Sequence, residues 1–239
     1  MAETLSLEAR GLTRRYGGFT ALRDVSMSLS TGEIRGLIGS NGAGKSTCMD
    51  VLSGRARGTG SSGTVLLEGR DISTLNERAR RHAGLARSFQ KTNIFPELTV
   101  RRQVELAARK AEVDNTQDVL RELNLLPHAE RRAADISYGD QRRVDLALAL
   151  VGRPKVLLLD EPAAGLTMGE SLALAHMLRD LAERWRLTVL IVEHDMDVIF
   201  SICARVTVLH LGQILAEGTP DEIRGNTDVV KAYLGSAAA

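Results

Sequence analysis

Residues Gly39-Ser40-Asn41-Gly42-Ala43-Gly44-Lys45-Ser46 satisfy the pattern G-x-x-x-x-G-K-[ST]. Glycine is 22 of 239 residues, so a chance match in the chain has odds of about one in two hundred. Context narrows it further. The apolar run Glu33–Ile38 reads as a strand before the glycines, and Ser46–Ser53 follows at helical spacing. Glycines let the backbone curl until successive N–H groups face one anion. The start of the next helix adds its partial positive charge. The expected ligand is the phosphate chain of a nucleotide, with Lys45 at the β- and γ-phosphates and the Ser46 hydroxyl on Mg²⁺. A glycine turn with an exposed lysine is the plainer reading, and the strand–loop–helix context disfavours it.

Such a site needs a carboxylate at a strand end. Val156-Leu157-Leu158-Leu159-Asp160-Glu161 supplies two. Four apolar residues without alternation read as a parallel strand covered on both faces. Asp160 is placed to hold the metal through its water shell, and Glu161 to orient and polarise an attacking water. Alone, Asp-Glu before Pro162 could be a turn or a helix cap; beside the phosphate loop it points to hydrolysis.

The rest of the chain reads as strands, then helices, then strands. Leu5–Arg10, Ala21–Leu29, Thr64–Glu68, Leu85–Phe89 and Thr188–Val192 have strand character, and Val206–Leu209 with Gln213–Ala216 predicts a hairpin around Gly212. Gly58–Gly63 reads as a loop. Thr99–Arg109, Gln117–Leu126, Gln141–Leu150, Glu170–Glu183 and Met196–Ile202 read as helices, with short helices over Pro220–Leu234. This predicts an α/β core interrupted by a helical lobe. Charge is balanced, 31 Lys+Arg against 30 Asp+Glu, and aromatics are 3%, so no nucleic-acid partner is expected. Two cysteines, Cys48 and Cys203, make no disulfide framework. No apolar run reaches the roughly 18–20 residues of a membrane span, and a cytosolic location is expected.

Ile136-Ser137-Tyr138-Gly139-Asp140-Gln141-Arg142-Arg143 lies about twenty residues before Asp160. With it the chain resembles the ATP-binding subunit of an ABC transporter, over essentially its whole length. The resemblance implies a P-loop NTPase fold: a mostly parallel sheet flanked by helices, with an N-terminal antiparallel β subdomain and an inserted α-helical subdomain. The RecA-like core would be residues 1–90 and 152–239, and the helical signature subdomain 91–151. It implies that Ser137 and Gly139, with Asp140 and Gln141, complete the ATP site of a second subunit, so that two chains sandwich two ATP molecules head to tail. As a plain residue, Ser137 reads as a helix N-cap. Ser40, Asn41, Gly42, Ala43, Gly44 and Thr47 join Gly39, Lys45 and Ser46 around the phosphates. Gln90 matches the family's glutamine that senses metal and nucleotide. Tyr16 matches an aromatic that stacks on adenine, and His194 a histidine that contacts the γ-phosphate.

Two departures stand out. The family commonly has Asp in the loop after Asp-Glu-Pro; here Ala163-Ala164-Gly165-Leu166 is followed by Thr167. In the signature, Tyr138 and Asp140 replace the usual glycine and glutamine. The segments Arg15–Leu22, Phe89–Phe95, Ser137–Arg143 and Glu193-His194-Asp195-Met196, with the tail from Glu217 to Gly235, resemble bacterial importers of branched-chain amino acids and their urea or amide relatives. The stretch between Arg109 and Thr116 is shorter than in many of these. The implied partners are a like or paralogous ATPase, transmembrane permeases touching Thr92–Val100, and a periplasmic or extracellular solute-binding protein. The implied location is the cytoplasmic face of the plasma membrane. Other readings are a lipopolysaccharide-export ATPase, a soluble mechanical ATPase acting on ribosomes or nucleic acid, and a phosphate-loop kinase. The last leaves the signature unexplained.

Overall fold

The computed structural model describes residues 4–88 and 94–235. Strands β1 (Leu5–Tyr16) and β2 (Phe19–Ser30) form a long antiparallel hairpin that turns at Gly17-Gly18. The sequence predicts β1 only to Arg10; it runs on through Gly11, whose φ of 63° absorbs an irregularity in the pairing. Next come β3 (Ile34–Ile38) and α1 (Lys45–Ser53). Strand β4 (Ser61–Leu67) begins inside the stretch expected to be loop, because Ser61 and Ser62 pair with Arg14 and Thr13 of β1. Tertiary pairing overrides the glycine-rich composition there.

The chain continues through β5 (Arg70–Asp71), α2 (Glu77–Ala83), β6 (Leu85–Arg87), α3 (Val100–Lys110) and α4 (Thr116–Glu122). The last stops short of the expected Leu126: Asn124 turns left-handed at φ 54°, and Leu126–His128 forms a single 3₁₀ turn around Pro127. Then follow α5 (Tyr138–Leu150), β7 (Val156–Asp160), α6 (Met168–Trp185), β8 (Thr188–Val192) and α7 (Met196–Ile202). The chain closes with β9 (Arg205–His210), β10 (Gln213–Gly218), α8 (Pro220–Arg224) and α9 (Thr227–Gly235).

Among the described residues there are two sheets. One is antiparallel, in the order β2-β1-β4-β5. The other, in the order β10-β9-β3-β8-β7-β6, is parallel except for its edge strand β10. The α/β class read from the sequence is the one observed. Strand β7 shows why its residues do not alternate in polarity. Val156 and Leu158 point into the core shared with α1 and the antiparallel sheet, whereas Leu157 and Leu159 point into the core shared with the helices on the other face. Each such leucine contributes about 1.5–3 kcal/mol on burial. Helices α3, α4 and α5 pack on one another and carry residues 100–150.

The architecture gathers the chemistry at one edge. Strands β3, β6, β7 and β8 run parallel, so their C-terminal ends deliver Gly39, Arg87, Asp160 and Glu193 to the same side of the sheet. That edge is where ligands bind in open parallel sheets.

Candidate nucleotide site

The loop between β3 and α1 is held by backbone contacts that leave no room for a side chain at Gly39 or Gly44. A Cβ on Gly39 would lie 2.3 Å from the Leu209 carbonyl oxygen, and one on Gly44 2.8 Å from that of Ala21. Gly44, at φ 106°, is the N-cap of α1 and offers no side-chain cap. The first-turn N–H groups of that helix therefore have no side-chain acceptor at the cap, and they lie where an anion would bind. The N–H of Gly212, between β9 and β10, donates to the Ala43 carbonyl at 3.0 Å. The C-terminal hairpin thus braces the loop from behind. Lys45 is buried and folds back, with Nζ 2.6 Å from the Gly39 carbonyl oxygen and 3.1 Å from that of Ser40. Burial pushes its pKa down, and the nearby carboxylates of Glu161 and Asp160 oppose that shift. Ser40, Asn41, Gly42, Ser46 and Thr47 lie on the open side of the loop, and Ala43 is buried.

Asp160 ends β7 and is buried. Its Oδ2 accepts from Arg87 Nη2 at 3.0 Å, and Arg87 Nη1 reaches Asp50 of α1 at 2.5 Å. One guanidinium therefore ties the strand-end carboxylate to the helix that begins at Lys45. Glu161 follows with its N–H on the Val192 carbonyl at 2.9 Å and a left-handed φ of 52°. Its Oε1 lies 2.9 Å from Nε2 of His194, which is exposed just past the end of β8. Glu193, buried beside it, accepts from the N–H of Ala163 at 2.7 Å and of His194 at 3.3 Å.

The signature residues form a separate group. Ser137 is the N-cap of α5: its Oγ accepts from the Asp140 N–H at 3.1 Å and donates to the Asp140 carboxylate at 2.7 Å. Asp140 also pairs with Arg143 at 3.1 Å. Gln141 donates to the Ile136 carbonyl. Ser137 is exposed and Gly139 partly so. The next turn binds the loop after Glu161, because the Tyr138 hydroxyl and Arg142 both donate to the Ala164 carbonyl, at 3.2 and 2.9 Å. Tyr138 thus has a structural use for its departure from glycine.

Lys45, Asp160, Glu161 and His194 come together within one chain, whereas Ser137, Gly139, Asp140 and Gln141 gather at the start of α5, with Ser137 exposed and the other three half-buried. Tyr16 is exposed, with the Arg14 guanidinium over its ring at 4.5 Å. Gln90 lies outside the described residues. Arg87 and Glu193 escaped the sequence reading. Their signal was a charged residue ending an apolar strand, as Asp160 does.

The profile described as "ABC transporter" matches residues 22–164, more than half of the chain. The chain belongs to the ABC transporter family. A second profile, "Branched-chain amino acid ATP-binding cassette transporter", matches residues 213–239 of this ABC subunit. The high-affinity branched-chain amino acid transport ATP-binding protein LivG of Salmonella typhimurium is 38% identical, covering 97% of this chain and 98% of its own. The lipopolysaccharide export system ATP-binding protein LptB of Acidithiobacillus ferridurans is 34% identical, covering 96% of both chains. The ADP conformation of an ATP-binding cassette of an ABC transporter superposes with a TM-score of 0.87 at 27% identity, covering 97% of this chain and 99% of that one. As an ABC ATPase the chain binds ATP, and its hydrolysis drives transport together with transmembrane permease partners. Among the described residues no helix is long and apolar enough to cross a membrane.

Proposed function

We propose that the chain powers import of branched-chain amino acids, or of closely related amides, by closing with a second ATPase chain around Mg-ATP. The observation that carries the mechanism is the 2.9 Å contact between Glu161 and His194 beside the buried Lys45. Glu161 orients the attacking water and takes its proton. His194 fixes the Glu161 carboxylate and reaches the γ-phosphate. Lys45, leaving the Gly39 and Ser40 carbonyls, meets the β- and γ-phosphates, and the loop N–H groups cradle them. The Ser46 hydroxyl and Asp160 carboxylate are hard oxygen donors that suit Mg²⁺, and a hydroxyl and a strand-end carboxylate on either side of the loop fit it. Bound there, that ion would neutralise charge building on the phosphate oxygens. By the family resemblance, Gln90 would be a further ligand of that ion.

The exposed Ser137 and Gly139 at the start of α5 are what a partner's γ-phosphate would meet. Both chains then contact each nucleotide, so ATP favours the closed state and hydrolysis releases it. The identity with LivG and the C-terminal match support branched-chain amino acids as cargo, delivered by a solute-binding protein. They also support docking on permeases at the cytoplasmic face of the membrane. The 34% identity with LptB keeps lipopolysaccharide export as the second reading.

Glu161→Gln should bind ATP with near-normal affinity and lose turnover by about a hundredfold or more, within the range that general-base removal costs. Wild-type hydrolysis by that variant overturns the assignment. Leucine uptake into proteoliposomes holding the ATPase, its permeases and the binding protein tests the cargo. ATP-dependent leucine accumulation is expected, and its absence beside lipopolysaccharide extraction would select the second reading.

A further inference from the structure

Glu161 is a non-glycine residue in the left-handed region, at φ 52°. Such a conformation costs on the order of 1 kcal/mol or more, and it persists where surrounding contacts over-determine it. The contacts are visible. On one side the Glu161 N–H continues the β7–β8 ladder to Val192. On the other, the Ala164 N–H closes a turn back onto the Glu161 carbonyl at 3.1 Å. Pro162 has no N–H, so the first free donor after Glu161 belongs to Ala163. That donor is met at 2.7 Å by the Glu193 side chain, reaching across from the end of β8.

Glu193 is only 6% exposed. It borders a small pocket lined mainly by apolar side chains, among them Leu146, Leu159, Leu174, Ile191 and Val198. Burial pushes its pKa up, opposed by the two backbone N–H groups it accepts from. A glutamate in such a place is disfavoured on solvation grounds, and the structure retains it where its two oxygens span the Glu161 turn and the His194 backbone.

We propose that Glu193 is a positioning residue for ATP hydrolysis, its carboxylate joining the turn after Glu161, at the Ala163 N–H, to the backbone N–H of His194 and so setting the geometry of the Glu161–His194 pair. This rests on the reading of Glu161 as the water-activating group. What positions the turn is reach, not charge. A glutamine keeps the length and one acceptor oxygen for the Ala163 N–H, while an aspartate keeps the charge and falls a methylene short.

The test compares steady-state ATPase rates of the full-length protein, its Glu193→Gln and Glu193→Asp variants, and Glu161→Gln, all below their melting temperatures. Glu193→Gln should keep kcat within about threefold of the parent. Glu193→Asp should lose about tenfold in kcat, with KM for ATP unchanged within twofold. The reverse order, or parent-like rates in both, overturns the proposal. A fall in kcat that tracks a rise in KM and a lower melting temperature also overturns it, since that pattern marks a general structural role. If Glu161→Gln is inactive while both Glu193 variants are normal, this inference alone fails. If Glu161→Gln turns over normally, the site reading fails and takes this inference with it.

Discussion

Arg87 touches Asp50 and Asp160 with one guanidinium, and both its own side chain and Asp160 are less than a tenth exposed. Removing one member of a buried pair strands the other charge, at a cost of about 3–5 kcal/mol. Arg87→Met should therefore lower the unfolding free energy of the nucleotide-free protein by that order, read by urea denaturation; a loss below about 1 kcal/mol would show that Asp160 finds other compensation. The residues most legible in the sequence were those whose chemistry depends on spacing along the chain. Gly39–Ser46 carries its loop in its glycines, and Asp160-Glu161 announces itself at the end of an apolar run. Arg87 and Glu193 act through partners on other elements, 37 and 30 residues away, and no local pattern records such partners. Tyr16 was readable only as a likeness, and its ring carries Arg14 on one face.

Elements were legible wherever burial is one- or two-sided along their whole length, as in β7 and β8, whose five residues each are all buried. They were misread where pairing or a turn outweighed composition: β1 continues past Gly11, β4 starts at Ser61, and α4 ends at Glu122. Thr167 shows how an apparent anomaly resolves at this scale. It is the N-cap of α6 in a reciprocal capping box, accepting from the Glu170 N–H while the Glu170 carboxylate accepts from the Thr167 N–H at 2.9 Å. Aspartate and threonine are both favoured caps, so the change from the family's usual residue keeps the helix start and removes a charge. Thr167→Ala should cost about 1 kcal/mol, and Thr167→Asp should be neutral within about 0.5 kcal/mol, both measured by thermal unfolding. An equal loss in both variants would contradict the cap as the reason for threonine. At the far end of α5, Arg81 of α2 donates to the carbonyls of Leu148, Ala149 and Val151. The helix that begins at Ser137 is thereby anchored at its C-terminus to the edge that holds β6.

In the whole molecule the two halves of the proposed chemistry sit on different elements. Lys45, Asp160, Glu161 and His194 share one edge of the parallel sheet, while Ser137 caps a helix whose start is exposed, its hydroxyl bonded to Asp140 of the same turn. Ser137 and Gly139 are left exposed for the nucleotide of a second chain, which is the physical ground for a site completed between two copies. The most direct measurement is the solution mass of Glu161→Gln, alone and with a paralogous ATPase, by light scattering with and without saturating Mg-ATP. The mass should double with Mg-ATP and stay monomeric without it, and adding Ser137→Arg to both chains of the closed pair should abolish the doubling. Monomers under every condition, or a dimer indifferent to Ser137→Arg, would contradict a nucleotide gripped by two chains.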